Sequence, residues 1–78
     1  MRDFSHVKIG NIQLCRCIEE PRGRHGLEGY VLDETYFCER FKTDMEGKPY
    51  WRIWPDKDNT RYYEICGPLV FKRFFVLL

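Results

Sequence analysis

Seventy-eight residues make one domain and leave no room for a second core. Thirteen Lys and Arg against twelve Asp and Glu leave a net charge of +1, without the basic excess that a dedicated nucleic-acid binder carries. Hydrophobic residues at 44% argue against a disordered chain, and aromatics at 17% supply rings that each bury roughly 150–250 Å².

The opening "MRDFSHVKIG" has charge but no apolar run behind it, so residues 1–10 read as a loosely ordered entry and not as a secretion signal. Residues 12–19, "IQLCRCIE", are β-rich and stop at Glu20-Pro21, which predicts the first strand. A long loop follows over residues 20–34, "EPRGRHGLEGYVLDE", and loops of that length inside a compact domain are often functional. Arg22, Arg24 and His25 stand there among glycines. They read either as a mobile cationic finger for phosphate or an acidic protein patch, or as a solvated loop.

"TYFCERFK" over residues 35–42 predicts the second strand, and Asp44-Met45-Glu46-Gly47-Lys48-Pro49 its turn. "YWRIW" (50–54) and "TRYYEI" (60–65) predict a hairpin around Pro-Asp-Lys-Asp-Asn. Cys66-Gly67-Pro68 then breaks the chain, since Pro cannot continue a central ladder. In "LVFKRFFVLL" the spacing suits one tight helical turn over residues 69–74 and a short final strand "FFVLL". The last apolar run is too short to span a bilayer, which takes about 20 residues, and Lys72 and Arg73 interrupt it. The expected fold is all-β: one domain over residues 1–78, a small five-stranded, partly open barrel with a long first loop.

Period-two alternation divides the hairpin. Trp51 and Ile53 share an apolar face and should point into the core, while Tyr50, Arg52 and Trp54 share the other, where Arg52 is not expected to be buried. In the following strand the same counting puts Tyr63 and Ile65 inward and Tyr62 and Glu64 outward. Exposed Tyr, Trp and Arg are the residue types most enriched in interaction hot spots. Tyr50, Arg52, Trp54 and Tyr62 are therefore the candidate partner-binding residues, with Arg22 and Arg24 at the rim.

Cys15, Cys17, Cys38 and Cys66 read as reduced thiols in the absence of a secretion signal. Cys15 and Cys17 leave a strand on the same side. Structural zinc sites present two close cysteine pairs, whereas two of these four are isolated, so core packing is the expected role and no cofactor or metal is expected. The two histidines, His6 and His25, sit in no local motif with a cysteine, and no Gly-rich phosphate loop occurs. Glu19-Glu20 and Glu34 with Glu39 read as solvated carboxylates. These features predict a protein that is not an enzyme.

Several of these positions form a pattern: Cys17 in the first strand, Gly26-Leu27 closing the loop, Thr35-Tyr36 opening the next strand. Trp51 and Ile53, Asp58-Asn59 and Tyr63 mark the hairpin, and Lys72-Arg73-Phe74 the turn into the last strand. Over residues 12–78 this resembles the small Src-homology-3-like barrels encoded by bacteriophages and bacteria. The resemblance implies a module that binds a host protein, in some cases a component of antiviral defence, and with neither a secretion signal nor a spanning run in the sequence the expected location is the cytoplasm. Two further partner readings stand beside it: a homodimer, and single-stranded nucleic acid stacked on the same rings with Lys8, Arg16, Arg22 and Arg24, which the near-neutral charge disfavours.

Overall fold

The structure is a computed structural model and describes residues 12–78; the entry segment over residues 1–10, with His6 and Lys8, lies outside the described residues. Five strands follow in chain order: β1 (Ile12–Cys17), β2 (Thr35–Thr43), β3 (Pro49–Trp54), β4 (Glu64–Cys66) and β5 (Phe75–Leu77). A 3-10 turn at Arg24–Gly26 interrupts the long loop, and a helix, α1 (Pro68–Phe74), precedes β5. All neighbours pair antiparallel in the order β4-β3-β2-β1-β5, so the sheet is open, with β4 and β5 at its edges. This is the expected partly open five-stranded architecture with its helical turn before the last strand.

Local chemistry sets the turns. Asp44 caps the β2–β3 connection, its Oδ1 accepting from the N–H groups of Glu46 and Lys48 at 2.8 Å each. Gly47, at φ 82, supplies the left-handed residue that this turn needs. Pro68 suits the first position of α1 because its missing N–H has no helical acceptor there. Phe75 ends the helix in an extended conformation while its N–H still reaches Phe71 O.

The core lies on one face of the sheet. Cys15 and Cys17 of β1, Cys38 of β2, Ile53 of β3 and Cys66 of β4 point to it, as do Tyr36 and Trp51. Phe71 and Phe74 of α1 cover that face, together with Leu27 and Tyr30 from the loop. Tyr30 wedges edge-on between Tyr36 and Phe75, at 5.0 and 5.1 Å, and its hydroxyl donates to Ile53 O at 3.5 Å. Trp51 and Ile53 are buried as alternation predicts, and the four cysteines are buried free thiols.

Three expectations need correction. The first strand ends at Cys17, because Ile18 and Glu19 bend away. The fourth strand begins at Glu64, not at Thr60, because Thr60 and Arg61 belong to the turn. Its register, Trp51↔Cys66 and Ile53↔Glu64, sends Glu64 and Cys66 to the core side and leaves Ile65 opposite Arg52 on the other face. Tyr63 and Ile65 are exposed as a result, since a one-residue change of phase flips every side chain of a strand. Finally, the loop over residues 20–34 is pinned and does not stand out as a finger. Leu27 and Tyr30 anchor it in the core, and the Gly23 N–H donates to Leu27 O at 2.8 Å.

The thiols give this core a pH signature. Burial pushes Cys66 up from 9.0 to about 12. Cys15 is raised further, chiefly by its hydrogen bond with Cys38 and then by burial, and burial raises Cys17 as well. A raised thiol pKa keeps the proton on in the fold, while the unfolded chain releases it near 9.0, so stability is full below that value and falls as pH rises towards 12. Urea midpoints should therefore drop between about pH 7.5 and about pH 10.5, by less in Cys66→Ala. A thiol-reactive dye should label none of the four cysteines in the native protein at neutral pH and all four in denaturant.

Candidate functional site

The face opposite the core is also rich in apolar residues. Two rows cross it in register: Leu14, Phe37 and Trp54, then Ile12, Glu39, Arg52 and Ile65. A charged pair sits inside this apolar setting. Arg52 Nη1 donates to Glu39 Oε1 at 2.9 Å, and Glu39 is only 2% exposed. The guanidinium stands 4.6 Å from the Phe41 ring and 5.1 Å from the Tyr63 ring, so it is held between two π-faces. Its Nε is buried with no hydrogen-bond partner.

A β-bulge builds this arrangement. The β2–β3 register shifts between Arg40 and Lys42, leaving Phe41 as the extra residue, with Glu39 opposite Arg52. Beyond it, Tyr50 meets Phe41 edge-on at 6.5 Å, and Lys42 Nζ lies 4.9 Å from the Tyr50 ring. Tyr50 is half-buried, while Leu14, Tyr63 and Ile65 around the pair are exposed.

Trp54 shares a face with Tyr50 and Arg52, as alternation predicts, but it is not displayed. It is 0% exposed. Its Nε1 donates to Thr60 O at 3.0 Å, and the Tyr63 ring leans on it at 5.9 Å. Because residues 55–63 form one long connection, the chain has the length to fold back over the end of β3 and cover the indole. Trp54 locks that connection in place.

The other candidates fall in different places. Tyr62 is exposed as expected; its hydroxyl donates to Glu64 Oε2 at 2.9 Å, and that carboxylate raises its pKa. Glu64 Oε1 also accepts from the Glu28 N–H at 3.2 Å, which ties the long loop to β4. Arg24 sits in a separate cluster: its Nη2 donates to Glu19 Oε2 at 3.0 Å, and its guanidinium lies 5.0 Å from the Phe74 ring. Arg73 reaches the same carboxylate at 3.4 Å. The Arg24 hydrogen bond and both positive charges hold the Glu19 carboxyl below its usual range. Arg22 is highly exposed and pairs with Glu20 at 3.3 Å. The structure thus gathers Tyr50, Arg52 and Trp54 on one face, with Tyr62 just before β4, and places Arg22 and Arg24 elsewhere.

Glu39, Phe41 and Ile65 are central to this face, yet sequence reasoning missed them. One signal was available. Without a bulge, the Lys42↔Tyr50 register would continue to set Arg40 against Arg52, and like charges directly opposite one another destabilise a sheet.

Among the described residues, no three of His, Cys, Asp and Glu are placed to hold a metal ion. No helix among them is long and apolar enough to cross a membrane. No protein family, curated protein or solved structure matches the chain.

Removing one member of the pair should cost more than removing both. Arg52→Leu strips the guanidinium from an almost wholly buried carboxylate, which lowers stability by about 3–5 kcal/mol. The double variant Glu39→Leu/Arg52→Leu should recover at least about half of that loss in urea unfolding. Trp54→Ala should lower stability by about 3–5 kcal/mol, the cost of emptying a buried aromatic site.

Proposed function

We propose that the chain is a non-enzymatic protein-interaction module that binds through the face built around Glu39 and Arg52. In keeping with the small Src-homology-3-like barrels it resembles, we place it as a phage-encoded modulator of a host protein in the host cytoplasm, with components of antiviral defence among the candidates.

One observation carries this reading: a guanidinium fixed between Phe41 and Tyr63 by a buried carboxylate, with Leu14 and Ile65 exposed beside it. A fixed arginine and flanking rings have little conformational freedom left to lose on binding, which is the property of a hot spot. The buried, unpartnered Arg52 Nε supports the same reading, since the fold tolerates a cost there that an apolar side chain would avoid. Single-stranded nucleic acid is less well supported, because Arg22 and Arg24 face carboxylates and stand apart from these rings.

The test is capture from bacterial lysate with immobilised protein. Ile65→Lys should lose a specific band at least about tenfold, while Val31→Lys, an exposed change in the long loop, should retain it. Nuclease treatment should leave the band unchanged. Equal capture by both variants would remove the face from consideration, and loss of the band on nuclease treatment would favour nucleic acid.

A further inference from the structure

The open sheet leaves a seam away from the Glu39–Arg52 face. Among the described residues, β5 is paired on one side only, to β1. Arg16 pairs with Val76, the Ile18 N–H donates to Phe74 O, and the Leu78 N–H donates to Leu14 O. Backbone groups alternate in direction along a strand, so Phe74, Val76 and Leu78 direct theirs to β1. Those of Phe75 and Leu77 point to the opposite side. There Phe71 O takes the Phe75 N–H, while Phe75 C=O and both backbone groups of Leu77 face the open edge.

A groove of about 430 Å³ runs along that edge. Trp51 and Phe71 line it, and Leu69, Val76 and Leu77 line it with substantial exposure. Val76 and Leu77 point to opposite faces of the sheet, so both can line one groove only where the strand's edge forms part of the wall. The charged residues of the lining are Lys48 and Lys72, and no carboxylate lines it. Lys48 has an exposed partner, Glu46, at 3.8 Å, and a pair of that kind is weak and readily exchanged.

We propose that this seam is a strand-addition site for an extended peptide segment carrying aliphatic residues flanked by carboxylates. The peptide backbone pairs with Phe75 and Leu77. Alternate aliphatic side chains enter the groove over Trp51 and Phe71, and the carboxylates meet Lys48 and Lys72. A second copy of this chain fits less well, because a two-fold contact would set the lysines of one groove against those of the other.

The probe is a fluorescein-labelled peptide, Glu-Val-Ile-Val-Glu, followed by anisotropy and by amide chemical shifts of the full chain. Saturable binding should shift the amides of Phe75–Leu77 and Lys72. Lys48→Glu/Lys72→Glu should weaken it at least about tenfold, and Lys-Val-Ile-Val-Lys should regain affinity for that variant. N-methylation of the central peptide bonds should abolish binding. Ile65→Lys should leave it unchanged, which separates this site from the Glu39–Arg52 face. Absence of shifts in β5 at peptide concentrations on the order of millimolar would overturn the proposal, as would equal binding of the acidic and basic peptides. A concentration-dependent dimer that shifts the same β5 amides without peptide would assign the edge to self-association instead.

Discussion

Trp51 lies flat on Phe71, ring centroids 4.2 Å apart, and Phe71 stacks in turn on Phe75 at 5.5 Å. This column links β3, α1 and β5. The two edges of the sheet, β4 and β5, share no ladder, so stacked rings do the closing that hydrogen bonds do in a complete barrel. The stack holds α1 over the core and tethers β5 to the far side of the sheet through side chains. It also leaves the outer backbone edge of β5 unspent, which is the physical origin of the seam.

With the core on one face of the sheet, the other face carries Ile12, Leu14, Phe37, Trp54 and Ile65. Among the described residues, an ion pair stands at the centre of that face. A buried pair of this kind roughly breaks even against apolar residues of similar volume, so its contribution is to register more than to stability. With Thr43 opposite Pro49 at the turn, Glu39 meets Arg52 because β2 carries its bulge, and Phe41 at the bulge lies against the guanidinium. The pair therefore selects one of two adjacent registers, and the discarded one would set Arg40 against Arg52.

Much of this fold could be read from the residues, because the strands have strong period-two patterns and Gly-Pro marks the start of the helical turn. Trp51 and Ile53 went inward for the reason alternation gives. The failures have two causes: alternation says nothing of what covers a face, and it does not by itself fix the phase of a short strand. Trp54 was placed on the correct face, but its burial depends on the return path of residues 55–63, a property of the loop that periodicity does not carry. In β4, alternation counted through residues 60–65 puts Tyr63 and Ile65 inward. The observed phase instead accommodates Glu64, whose carboxylate finds the Tyr62 hydroxyl and the Glu28 amide. The second of those partners lies far away in sequence, so no local pattern could announce it. The loop over residues 20–34 carries no period from which the burial of Leu27 and Tyr30 can be read, although Arg22, Arg24 and His25 are exposed as a solvated loop requires.

Net charge illustrates the same distinction between sums and placement. A net charge of +1 argues only against a dedicated nucleic-acid binder and says nothing of where the charges lie. Arg24 and Arg73 converge on Glu19, and Arg52 is committed to Glu39. Lys57 donates to the Thr35 hydroxyl at 3.1 Å. With those cations engaged, Lys72 and Lys48 are the charged residues that line the seam, and the Glu46 carboxylate beside Lys48 is an exposed and weakly held partner. Screening acts over roughly 8 Å at physiological ionic strength, so a partner at the seam responds to Lys72, Lys48 and the neighbouring Glu46 and not to the sum. For a domain this small, the sign of a surface is set by which charges the fold has already paired.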